Sequence, residues 1–398
     1  MIVSCGGETG EKPVNKGLAG FKVEFAENFD PGTPEKPLAE VPAEIPLKIT
    51  ALGYDNKPLT DYHGKIRISL QSTRIKTPKQ KNRDFDSVTV INFKENITVT
   101  PTNCADKDRV VVEDVEIMEN NGESDTVPLG KIGVSPFFYT PVATISMIQG
   151  NVMDDKGYPS KFNGRNLTLK AGKDKQMVVV AIIEGGFYLH EVGAEEYSSI
   201  YMYTYSTPYV DDNVDESVSL PVGALIESAN GSVFEFFGFT EMSFPTFHPV
   251  YETKNGKKTL KIDPKLIPRP KDISDILDKP KEMEKYEASL VTVNNVYVAW
   301  FNENDDSFIE YSQFPLTLTG NPSTSDTTIM AQTLYTAPLF NAVTKKPKDE
   351  NSEKCHYNFT GILRQHTSAR PSTWIIVPRD MNDIEPLDSD PDCKLESK

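Results

Sequence analysis

No apolar run in this sequence approaches the roughly 18 consecutive residues that a membrane-crossing helix needs. The stretch "MVVVAII" at 177–183 is the size of one strand. Histidine is scarce: the five are His63, His190, His248, His356 and His366, and no two stand four residues apart as in a helical metal site. There is no GxSxG elbow, no HExxH helix and no phosphate-cradling GxxxxGK[ST] loop. The four cysteines, Cys5, Cys104, Cys355 and Cys393, include no CxxC pair, so the close spacing of zinc and redox sites is missing. Positive charge is also short, with 42 Lys and Arg against 58 Asp and Glu, a net charge of −16. Such a surface repels phosphate backbones at long range and attracts cations or basic partners, and it also keeps a secreted chain in solution.

What is present is β pattern. A chain of 398 residues with 38% hydrophobic and 10% aromatic residues suffices for two or three domains, each with its own core. Residues 1–40, rich in Gly, Pro, Glu and Lys apart from one apolar patch, "FKVEF", read as a tether leading into a first strand. From 41 to 135 short β-branched runs alternate with period two: "IPLKITAL", "GKIRISL", "SVTVINF", "NITVT", "RVVVEDVEI". Strands so spaced, with turns between them, predict a β-sandwich.

After "SPFFYTP" the pattern changes. "VATISMIQGNVM" reads as a strand with a glycine break, and "QMVVVAIIEGGFYLHEV" as two strands turning at Glu184-Gly185-Gly186. In "LPVGALIESANGSVFEFFGFTEMSF" the Ala229-Asn230-Gly231 step is a hairpin signal. A second copy follows: "EASLVTVNNVYVAWF" parallels the first strand set, and "HYNFTGILRQ" parallels "VFEFFGFTEM", aligning Gly361 with Gly238 and Phe359 with Phe236. Between the copies, Ile273, Ile276 and Leu277 behind Pro270 predict a short helix.

Three resemblances bear on these segments. "ITALGYDNKPLTDYHGKIRISL" resembles the second-to-third strand region of bacterial immunoglobulin-like modules, without the Cys…Trp…Cys pin of antibody domains. Over about 140–386, the order of "GGFYLHE", "PVG", the "GSVFEFFGFTE" segment, "YEASLVTVNN" and "WIIVPRDMNDI" resembles tandem OB-fold modules of bacterial secreted proteins, which accompany extracellular nucleases and surface lipoproteins. Ile2-Val3-Ser4-Cys5 resembles a bacterial lipobox, which implies lipidation at Cys5; Gly6 and Gly7, with no Asp next to the cysteine, then imply the outer membrane. The expected fold is all-β: an immunoglobulin-like sandwich (41–135), an OB-type barrel (136–250), a linker with a short helix (251–285), a second OB-type barrel (286–387) and an acidic tail (388–398).

Candidate site residues are few. Tyr201, Tyr203 and Tyr205 alternate in "YMYTY" and so share one strand face, able to stack a ligand or to fill a contact between barrels. Arg379 is placed to pair with Asp380 or Asp383 or to meet a ligand, and Trp374 to close the second core. A Cys355–Cys393 bridge would pin the C-terminal tail in an oxidising compartment. Asp211, Asp212 and Asp215, and Asp305 and Asp306, form acidic loops that either hold Ca²⁺ or remain solvated; neither fits the EF-hand frame. No other cofactor is expected.

The functional expectation is a non-enzymatic outer-membrane or surface lipoprotein acting in binding or assembly. Its partners are the membrane, through Cys5, and another envelope protein or a surface polymer. The alternative is a nucleic-acid-binding accessory of an extracellular nuclease system. Against it, residues 195–216 hold Glu195, Glu196, Asp211, Asp212, Asp215 and Glu216 with no Lys or Arg.

Overall fold

A computed structural model describes residues 17–39, 42, 44–71, 89–100, 104–120, 123–150, 159–183, 185–213, 216–254, 256–318, 328–346, 355–366 and 373–395. Cys5 and Asp215 lie outside them. The chain divides into two compact units, the first ending at Pro141 and the second beginning at Val142. No helix among the described residues is long and apolar enough to cross a membrane.

The first unit contains β1 (Leu18–Phe25), β2 (Ile45–Gly53), β3 (Lys65–Leu70), β4 (Thr89–Asn92), β5 (Asn96–Val99), β6 (Lys107–Asp108), β7 (Val110–Asn120), β8 (Glu123–Val134) and β9 (Phe138–Tyr139). β1, β2 and β5 form one sheet, β4, β3, β7 and β8 a second, and β6 pairs with β9. The alternating residues of "IPLKITALG" explain the arrangement: Ile45, Leu47, Ile49 and Ala51 point inward and meet Ile66, Ile68, Leu70, Val110 and Val112 of the other sheet. Within the segment expected as a tether leading into a strand, structure begins by Leu18. "LAGFKVEF" is itself a strand, with Leu18, Phe21 and Val23 buried in the same core, because its apolar residues complete the inner face beside β2.

The second unit opens with β10 (Val142–Ala143) and α1 (Ile145–Gln149). The strand expected at "VATISMIQGNVM" therefore ends at Ala143. Thr144 caps the helix by accepting a hydrogen bond from the Met147 amide at 3.3 Å, and Ile145 and Ile148 are buried together at helical spacing. There follow β11 (Asn166–Lys170), β12 (Met177–Ile183), β13 (Gly186–Glu191), β14 (Ser199–Tyr203), the hairpin β15 (Tyr209–Asn213) and β16 (Glu216–Ser219), then β17 (Leu225–Phe236) and β18 (Phe239–Pro249). β12, β13, β14, β18 and β17 pair in that order, and β17 pairs back to β12, which closes the ring. All neighbours are antiparallel except β14 and β18. β11 continues the line of β12 along β17.

The same order recurs after the hairpin β19 (Tyr251–Lys254) and β20 (Lys257–Leu260). β21 (Lys271–Asp272) and α2 (Pro280–Glu284) lead into β22 (Leu290–Val298), α3 (Asp306–Tyr311), β23 (Gln313–Thr317), β24 (Thr328–Gln332), α4 (Ala342–Lys345), β25 (His356–His366), β26 (Thr373–Val377) and β27 (Ile384–Pro386). β22, β23, β24, β26 and β25 close a five-stranded barrel, again with the third and fifth strands parallel. β21 runs parallel to β22 as β10 does to β11. The segment expected as a linker over 251–285 is thus largely structure. Ile273 and Leu277 are buried in the second core and flank a single 3-10 turn, while the short helix forms later, behind Pro280.

Two glycine assignments also change. Asn230-Gly231 lies inside β17 rather than at a turn; the chain reverses at Phe237-Gly238, where Gly238 has φ 85°. Gly361 lies inside β25 opposite Val291, as Gly231 lies opposite Leu167. A Cβ at Gly361 would stand 2.5 Å from the Val377 carbonyl oxygen, and one at Gly231 would stand 2.7 Å from Met242 Cγ. Gly361 is therefore matched to Gly231, not to Gly238, because both admit a crossing strand.

Candidate functional site

Along β14, Ile200 and Met202 point into the first barrel core, and Tyr201 and Tyr203 point out. The outward residues meet the second barrel. Val178, Val180, Tyr188, Tyr201, Leu225 and Phe239 form one buried cluster with Ala288, Leu290, Ile362, Ile375 and Val377. The Tyr197 amide donates to the Lys285 carbonyl at 2.7 Å across the same seam. The Arg364 guanidinium covers the Phe239 ring at 5.3 Å and the Tyr201 ring at 6.0 Å, a cation–π arrangement. Burial raises the Tyr201 phenol above its ordinary pKa and pushes that of Tyr188 up to about 12.

The tyrosine row therefore divides. Tyr201 fills the contact between barrels, Tyr203 lies at its margin, and Tyr205 leaves the strand and is 73% exposed. The three do not share one strand face, because Tyr205 adopts φ 64° beyond the end of β14. Tyr203 still stacks near both Tyr205, at 6.4 Å between centroids, and Phe244, at 5.3 Å. Phe244, exposed on β18, has φ 48°. The turn residue Gly185, φ 86°, lies beside the Tyr203 ring, where a Cβ would touch Cε2 at 3.4 Å.

The seam also buries acids that the alternation pattern did not reveal. Glu287 is fully buried; its Oε2 accepts from the Thr240 amide of the first barrel at 3.1 Å, and its Oε1 has no hydrogen-bond partner among the described residues. Desolvation, then the charges of Glu284 and Glu235, hold its carboxyl well above the ordinary carboxylate range. Glu235 accepts from the Ser160 amide at 2.7 Å and the Thr240 hydroxyl at 2.8 Å, and burial raises its pKa too. No three His, Cys, Asp or Glu side chains among the described residues converge as metal ligands.

The remaining candidates are dispersed. Arg379 makes a two-pronged pair with Asp383 at 2.8 and 2.7 Å, and its amide donates to the same carboxylate, fixing the turn before β27. Trp374 is buried in the second core. Cys355 is bonded to Cys393 with Cα atoms 5.3 Å apart, and Cys104 is buried and takes no part in that disulfide. The segment expected as an acidic tail packs inward: Asp388 accepts from the His356 amide at 2.6 Å and Cys393 is buried. Of the calcium candidates, Asp305 is the N-cap of α3, its Oδ1 accepting from the Ser307 amide at 3.0 Å, and Asp306 is exposed in the first helical turn. The Asp305 carboxylate is thus engaged by the helix end. Asp211 and Asp212 stand on the β15 strand rather than an irregular loop. His190 is buried against Ser199 at 3.1 Å; burial first, with Lys175 adding to it, lowers its pKa to about 4, so the ring is neutral.

In comparisons with protein-family models, curated proteins and solved structures, nothing matches the chain.

Proposed function

We propose that this protein is a non-enzymatic binding or assembly module of the bacterial envelope, lipidated at Cys5 and held at the outer membrane. The reading takes the first unit as an immunoglobulin-like sandwich, supported by its three-against-four strand order. It takes the two rings as OB-type barrels, supported by five strands closing in the order 1-2-3-5-4 with the third and fifth parallel.

The observation that carries the binding reading is the seam. The outward face of β13 and β14 is filled by the second barrel through Tyr188 and Tyr201, so the pair of barrels acts as one scaffold. Tyr205 and Phe244 remain exposed at its margin. Exposed rings on a shared rigid scaffold suit recognition. The Cys355–Cys393 bond agrees with an oxidising compartment outside the cytoplasm.

The test of attachment is Cys5→Ser in a gene carrying a complete secretion signal. Acyl labelling and membrane partition are both lost in that variant, since each lipid methylene contributes about 0.8 kcal/mol to anchoring. Unchanged partition in the variant refutes lipidation at Cys5.

A further inference from the structure

Three exposed aromatic residues on the first barrel occupy left-handed backbone: Tyr205 (φ 64°), Phe237 (φ 52°) and Phe244 (φ 48°). Bulky residues seldom adopt that conformation, and each such residue costs roughly 1–3 kcal/mol unless its surroundings impose it. All three are exposed, so burial in this chain does not offset the strain. Tyr205 and Phe244 converge on one place, the ring of Tyr203.

The backbone beneath is fixed. Thr204, between the two tyrosines, is fully buried; its amide donates to the Gly185 carbonyl at 2.7 Å and its hydroxyl to the Ser206 carbonyl at 2.6 Å. Tyr203 and Tyr205 are thereby held on either side of a buried peg, and their rings meet at 81°. Tyr203 faces Phe244 at an interplanar angle of 54°. Three rings inclined to one another make an apolar corner rather than a flat stripe.

We infer that this corner is a subsite for one or two rings of an uncharged oligosaccharide, deepening the binding function proposed above and resting on it. Size and charge choose the ligand. Three partly covered rings offer a few hundred Å², below the ~800 Å² that a protein partner covers on each side. A pyranose ring presents a flat apolar face of that smaller scale, with hydroxyls at its edge. Beside the rings, Glu241 accepts a hydrogen bond from the Ser243 hydroxyl at 2.8 Å, and Ser243 is paired with Tyr203 across β14 and β18. Glu241 is only 6% exposed and orients Ser243 from below, so Ser243 and the phenol hydroxyls of Tyr203 and Tyr205 are the groups that suit sugar hydroxyls. Polyanions are disfavoured, because the tyrosine-bearing segment 195–216 holds six acids, Glu195, Glu196, Asp211, Asp212, Asp215 and Glu216, and no Lys or Arg.

The experiment is titration calorimetry of the full chain with maltohexaose, cellohexaose, xylohexaose and mannohexaose, and with a dodecamer of thymidylate. At least one hexasaccharide is expected to bind with Kd of roughly 10⁻⁵–10⁻³ M. Tyr205→Gly and Phe244→Gly each weaken it tenfold or more while their thermal midpoints stay level or rise, since glycine relaxes a positive φ. Binding that survives both substitutions overturns the subsite. So does the absence of heat with every hexasaccharide at millimolar concentration, or preferential binding of the thymidylate. The partition of Cys5→Ser reads envelope attachment separately, so either idea can fail while the other stands.

Discussion

Tyr62 shows how one side chain brings polarity into the first core. Its ring packs edge-on to Phe93 at 4.9 Å and Phe21 at 5.5 Å, while its hydroxyl donates to the buried Asp114 at 2.6 Å. Tyr62→Phe keeps the ring and deletes the donor, so urea midpoints should fall by the equivalent of about 1–3 kcal/mol. An unchanged midpoint would mean that the bond contributes nothing net. Gly361→Ala acts differently: its Cβ meets the Val377–Pro378 peptide, 2.5 Å from the carbonyl oxygen and 2.8 Å from the Pro378 nitrogen, and backbone cannot turn away as a side chain can. A loss of about 1–3 kcal/mol is expected from such overpacking. At this scale the sequence was partly legible. The Arg379 pairing with Asp383 was one of the alternatives open from spacing alone, and the Cys355–Cys393 bond is among the pairings that four cysteines allow. Alternation also placed Tyr201 and Tyr203 on one face. It could not show that Tyr205 leaves the strand, because a positive φ at a bulky residue runs against every local preference.

Among elements, period-two runs gave strands of the first unit and the Gly185-Gly186 reversal between β12 and β13. They misled at α1, where five residues are too few for a helical period to outweigh the β-branched neighbours. They misled again at Asn230-Gly231, where glycine serves close approach rather than a turn. Acids at the seam were invisible for another reason: Glu287 looks like a solvent-facing residue until the first barrel meets it at Thr240, and Glu235 until Ser160 and Thr240 bond to it. Their burial has a pH consequence. Folded Glu287 keeps a proton that the unfolded chain releases above pH 4.5, its ordinary value, so folding stability from this group falls as pH rises from 4.5 towards its raised folded pKa. Glu284, Glu235 and the Thr240 amide are the groups that face it. Glu287→Gln retains the oxygen that accepts from Thr240 and removes the proton release. Melting at about pH 5 and about pH 8 should show the wild type losing more stability than the variant across that interval. Parallel pH profiles would place the slope on other groups. The Cys355–Cys393 bond, joining residues 38 apart, ties the turn after β27 to the start of β25. Cys393→Ser should cost about 2–4 kcal/mol, read as a lower midpoint without reductant and no further effect with it.

For the molecule as a whole, the seam decides what can fold alone. Period and spacing suggested two successive barrels with a linker, and left open whether the tyrosine row stacked a ligand or filled a contact between them. The structure instead gives the second unit three apolar clusters: one inside each ring and a third made jointly. Separating the barrels would uncover Val178, Val180, Tyr188, Tyr201, Leu225 and Phe239 on one side and Leu290, Ile362, Ile375 and Val377 on the other. Burying side chains of this size contributes roughly 1.5–3 kcal/mol each, so the joint cluster exceeds the marginal 5–15 kcal/mol by which a domain is stable. Two consequences can be measured on fragments. Residues 142–398 should unfold in urea as one cooperative transition, with fluorescence and circular dichroism superimposing. Residues 142–260, which retain the first ring and its following hairpin, should associate or bind a hydrophobic dye, because their outer face is then a large exposed apolar patch. A monomeric, dye-free 142–260 fragment with a sharp transition would show that the first barrel stands without the second. The seam would then be a docking contact rather than part of the fold.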